Sequence, residues 1–139
     1  METLTITRVR EDANFFQIEL MARSEGITAR TRSNTTSRVI NELAARLAGF
    51  PLSYEDRYIW ECGERGKDSA AVSLEFWCES KFGIIAIEVY MRTDDEHDPD
   101  RRDCRFCTRT EIGLLNEFGK SLEKLAQSGV GHAVTLRRH

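Results

Sequence analysis

The chain has 139 residues, 40% of them hydrophobic and 31% charged, with a formal net charge of −3. That length fits one domain around one core, and the composition is too apolar for a disordered segment. The longest apolar stretch, FGIIAIEVYM, contains Glu88 and falls far short of the ~20 residues of a membrane helix, which excludes a helical span there.

The opening METLTITRVRED has no basic segment followed by an apolar one, so no signal peptide is expected. Four cysteines without an export signal are expected to stay reduced, and the expected location is the cytoplasm. Residues 3–11 alternate polar and apolar through Leu4 and Ile6, predicting a first edge strand. Residues 15–24 alternate more firmly. Phe16, Ile18, Leu20 and Ala22 fall on one side, and Gln17, Glu19 and Arg23 on the other. Glu25-Gly26 then forms a connection short enough for a hairpin into residues 27–32.

The S-N-T-T-S cluster predicts a helix start, with Thr35 or Thr36 as N-cap. Val39, Leu43 and Leu47, flanked by Ile40 and Ala44, recur at helical spacing until Gly49 and Pro51 stop the helix. A run of four strands follows as a meander. In the first, Tyr58, Trp60 and Cys62 alternate with Ile59 and Glu61. In the second, Val72, Leu74, Phe76 and Cys78 face the core and leave Ser73, Glu75, Trp77 and Glu79 opposite. Residues 84–91 are almost continuously apolar, which predicts a central strand buried on both faces or nearly so. Residues 104–109 form the fourth strand. A last helix is predicted over 111–127, capped by Thr110, with Ile112, Leu115, Phe118, Leu122 and Leu125 as its apolar stripe. The tail HAVTLRRH reads as either a short edge strand or a frayed end. The order ββ(β)-α-ββββ-α predicts a single α+β domain over 1–139. Its architecture is an antiparallel sheet of about six to seven strands with two helices packed on it.

The charge is unevenly spread. Residues 70–100 hold eight acids and two bases, whereas residues 101–139 hold eight bases and four acids. Asp94, Asp95, Glu96, Asp98 and Asp100 crowd one loop around His97, without the regular ligand spacing and glycine of an EF-hand. That loop is either a solvated surface or a docking surface for a cationic partner. Trp77, between Glu75 and Glu79, is either an interface anchor on an open sheet face or core under a helix. The candidate partner-binding residues are therefore Glu75, Trp77, Glu79, Asp94, Asp95, Glu96 and Asp98.

Cys104 and Cys107 form a C-x-x-C that Cys62, Cys78 or His97 could complete as a zinc site. On a strand, however, positions three apart point to opposite faces, so buried structural thiols are expected, with no metal and no cofactor. No P-loop, G-x-S-x-G, H-E-x-x-H or dinucleotide fingerprint occurs, so no catalytic residue is assigned and no enzyme is expected. The cluster Arg101, Arg102, Arg105 and Arg109 is local and lacks an aromatic stacking motif, so nucleic-acid binding is not expected.

In layout the chain resembles bacterial immunity proteins, the antitoxins of contact-dependent growth inhibition and similar polymorphic toxin systems. The resemblance runs over residues 10–127. It is carried in order by FFQIELMARSEGITARTR, RVINELAARLAGFP, DRYIWECG, VSLEFWCES-KFGIIAIEVYMRT and CRFCTRTEIGLLNEFGKSLEKL. It implies inhibition by binding: a cognate toxin domain, commonly a basic nuclease, would have its active site occluded in the cytoplasm. A homodimer is compatible with it. The rival expectations are a small-molecule or zinc-binding domain and a self-associating structural module.

Overall fold

The computed structural model describes residues 2–63, 71–92 and 103–138. Its elements run β1 (Thr3–Glu11), β2 (Phe16–Ser24), β3 (Ile27–Thr35), α1 (Ser37–Ala48), β4 (Arg57–Cys62), β5 (Ala71–Cys78), β6 (Ile84–Arg92), β7 (Asp103–Glu111), α2 (Ile112–Leu125) and β8 (Ala133–Arg137). The class is α+β, as expected. The strands do not form one sheet, however; they form two four-stranded antiparallel sheets, ordered β3-β2-β1-β8 and β4-β5-β6-β7.

Alternation explains the first sheet. Leu4 and Ile6 of β1, and Phe16, Ile18, Leu20 and Ala22 of β2, are all buried on its inner face. Gly26 makes the β2–β3 turn at φ 77°, a conformation that glycine adopts without steric cost. β1 is not an edge strand as its pattern predicts. The tail returns as β8, pairing Thr3 with Arg137 and Thr7 with Ala133, so β1 lies between β2 and β8. That return joins residues about 130 positions apart, which no local pattern announces.

The second sheet is the predicted meander. Trp60, Cys62, Val72, Leu74, Phe76, Ile85, Ile87, Val89 and Met91 are buried on its inner face. β6 is an inner strand, but it is buried on one face rather than both. Glu88 and Tyr90 on its other face are only half-buried, and Ala86 alone there is fully covered. The apolar run misled because Ala86 is small enough to be sheltered by its cross-strand neighbours, Trp77 and Arg109.

The two sheets and both helices share one apolar cluster. β3 touches β4, β5 and β6 in turn, and α2 lies against both β7 and β8. The helices pack on each other along Ile40, Leu43, Ala44 and Leu47 of α1 and Leu115, Phe118, Leu122 and Leu125 of α2. At Gly119 the approach is so close that a Cβ would lie 2.6 Å from the backbone nitrogen of Ala48. Thr36 caps α1, its hydroxyl accepting from the Val39 N–H. Thr110 does not cap α2. Glu111 is the N-cap, and the buried Thr110 hydroxyl instead donates to the Arg137 carbonyl of β8. Among the described residues, no helix is long and apolar enough to cross a membrane.

Candidate functional site: the outward face of the second sheet

Strand parity sends Arg57, Ile59 and Glu61 of β4 to the face opposite the core. Ser73, Glu75 and Trp77 of β5, Ala86, Glu88 and Tyr90 of β6, and Arg105, Cys107 and Arg109 of β7 join them there. The register sets them in rows across the sheet. Arg57 stands opposite Trp77, then Ala86 and Arg109; Ile59 opposite Glu75, then Glu88 and Cys107. Ile59 is 55% exposed, so this face lies open to solvent and Trp77 is not core beneath a helix.

One device is built twice on this face. In β5 the sequence Glu75-Phe76-Trp77 places a carboxylate and an aromatic ring side by side, and Arg57 of β4 covers both. Its guanidinium lies 4.8 Å from the Trp77 ring centre and forms an ion pair with Glu75. In β6 the sequence Glu88-Val89-Tyr90 repeats the arrangement with Arg105 of β7. That guanidinium lies 4.9 Å from the Tyr90 ring and 2.5 Å from a Glu88 carboxylate oxygen. Glu75 and Glu88 stand directly opposite each other, a like-charge pairing that destabilises a sheet unless neutralised. The two arginines supply that neutralisation. They are also the outermost parts: both are 58% exposed, while the glutamates beneath are 22% and 29%.

Glu79 sits just beyond the end of β5 and turns toward β7, where Arg109 donates to both its carboxylate oxygens at 2.8 and 3.0 Å. Arg109 also reaches Glu2 at 3.9 Å, and Glu2 holds Arg138 at 3.0 Å. These four charges, with Glu25, Ser80 and Ile84, line an open cleft of about 920 Å³. Of the residues named from sequence, the structure thus brings Glu75 and Trp77 together and sets Glu79 at the margin. Asp94, Asp95, Glu96 and Asp98 lie outside the described residues. Sequence reading missed Arg57, Glu88, Tyr90 and Arg105. Strand parity alone carries their signal, because the pairing register depends on turns between strands.

The C-x-x-C pair is split across the two faces of β7. Cys104 pairs with Met91 and Cys107 with Glu88, three residues apart on one strand and therefore on opposite faces. Burial, and for Cys107 the Glu88 charge after it, pushes both thiols above their ordinary range. Burial also raises Cys62, which donates to the Ser33 hydroxyl at 3.3 Å. Among the described residues, no group of His, Cys, Asp or Glu is placed to hold a metal ion.

What this face can do chemically is recognise a surface. Tryptophan, tyrosine and arginine are the residue types that dominate binding energy at protein interfaces. Here the two arginines are tied by cross-strand ion pairs to Glu75 and Glu88 and lie over the Trp77 and Tyr90 rings, which reduces the side-chain freedom to be lost on binding. No family model, curated protein or solved structure matches the chain.

Proposed function

We propose that the chain is a non-enzymatic binding protein of the immunity type, which neutralises a toxin domain by docking on it through the outward face of β4–β7. The observation that carries this reading is the doubled Arg-aromatic-Glu device. It places two aromatic rings and two exposed guanidinium groups on a rigid, uncovered sheet. The resemblance of the chain's layout to immunity proteins supplies the class of partner. A basic toxin would meet the acids of residues 94–98, which steer association, while the sheet face supplies the anchors.

The test is growth rescue. Candidate toxin domains, taken from reading frames adjoining this chain's own, are each expressed in a sensitive host with wild-type protein, with Trp77→Ala/Tyr90→Ala, or with Asp94, Asp95 and Glu96 reversed to lysine. Wild type restores growth. The aromatic double variant, still folded by circular dichroism, loses at least tenfold in affinity for the domain, about 1.4 kcal/mol. The lysine variant loses association rate chiefly. Failure of wild type to rescue contradicts the immunity reading. Rescue undiminished in the folded aromatic variant contradicts the assignment of the face.

A further inference from the structure

Beside the outward face, at the corner where β5 ends, two short loops hold apolar side chains in solvent. Leu52 is 80% exposed, Tyr54 44% and Phe82 95%. The backbone that carries them is fixed. The 52–56 loop is closed by the Asp56 N–H on the Ser53 carbonyl at 3.1 Å and the Leu52 N–H on the Asp56 carboxylate at 2.8 Å. The β5–β6 turn is closed by the Glu79 N–H on the Ile84 carbonyl at 2.9 Å. The Phe82 N–H donates to the Ser80 hydroxyl at 3.2 Å. The loops meet where the Lys81 ammonium stands 5.8 Å from the Tyr54 ring centre. Glu55 directly follows Tyr54 in the same loop and is exposed.

We infer that this corner is a self-association surface, and that its occupant is the same corner of a second copy of the chain. The charge pattern selects that occupant. Lys81 and Glu55 flank the apolar trio, and among the described residues neither enters an ion pair. A two-fold contact is self-complementary: it buries Leu52, Tyr54 and Phe82 against their equivalents and sets each Lys81 against the other copy's Glu55. One cation balanced by one anion gives no attraction to an anionic lipid surface or a phosphate backbone. Three side chains make a small interface, so the association is transient rather than obligate. The inference is independent of the proposed toxin binding, which uses the neighbouring sheet face.

Sedimentation equilibrium from about 10 μM to about 1 mM tests it. The wild-type mass rises with concentration from 16.0 kDa toward twice that value. Phe82→Glu, at a position with no packing role, stays monomeric throughout. Lys81→Glu and Glu55→Lys each weaken the dimer at least threefold, and the doubly reversed protein recovers it. A wild-type mass constant at 16.0 kDa overturns the inference. So does a dimer that persists in Phe82→Glu, or a double reversal that associates no better than the single variants.

Discussion

Asp56 joins helix, loop and sheet in one side chain. It ends the 52–56 loop just before β4, and its carboxylate accepts from Arg46 of α1 at 2.5 and 2.9 Å and from the Leu52 N–H. The Arg46 bonds, then the Leu52 N–H, hold its pKa down at about 2. A carboxylate depressed below its ordinary value near 4 contributes stability that is fully present above that value and lost as pH falls toward 2. Asp56→Asn is therefore expected to be less stable than wild type at pH 7, with the deficit shrinking between pH 4 and pH 2. Urea denaturation at several pH values measures it, and a deficit independent of pH contradicts the electrostatic account. Sequence alone marked residue 56 only as the edge of a strand, because its partner lies ten positions back on another element.

At the scale of elements, most of the inner faces were legible. Period-two and period-3.6 patterns named nearly every buried residue of β2, β5, α1 and α2 before any geometry, because burial of one face is what imposes those periods. The junctions between elements were not. Arg8 of β1 donates to the last carbonyls of α2, those of Leu125 and Ala126, at 3.3 and 3.2 Å. It does so while its guanidinium lies 3.8 Å from the Phe16 ring centre. Asn116 of α2 donates to the carbonyls of Leu47 and Phe50 at the end of α1. Gly119 also reads as a propensity defect until α1 is placed against it, since glycine costs a helix interior about 1 kcal/mol relative to alanine. Gly119→Ala should therefore destabilise by about 1–3 kcal/mol, because its Cβ meets backbone atoms of Ala44, Leu47 and Ala48 that cannot rotate away. Gly113→Ala, with open space around it, should be neutral or stabilising by up to ~1 kcal/mol. Chemical denaturation of the pair decides whether the helix contact or the propensity dominates.

Across the whole molecule, the division into two sheets makes the candidate surface. Both sheets and both helices close on one core, which consumes one face of each sheet. The opposite face of β4–β7 is left to carry polar and aromatic side chains. The fold class was legible in the order of the strands and helices. Two sheets rather than one were not, because the return of β8 to β1 and the crossing of β3 over β4–β6 are non-local. On the open face, Trp77 and Glu75 were legible from parity, while Arg57 and Arg105 gain meaning only through the register that sets each over an aromatic ring and a glutamate. The central claim is that this face is where the partner sits. Hydroxyl-radical footprinting of the chain, alone and in complex with a toxin domain that it neutralises in the growth assay, tests this most directly. Oxidation of Trp77, Tyr90 and Ile59 should fall severalfold in the complex. A stable complex in which these three side chains oxidise as fast as in the free protein would contradict it.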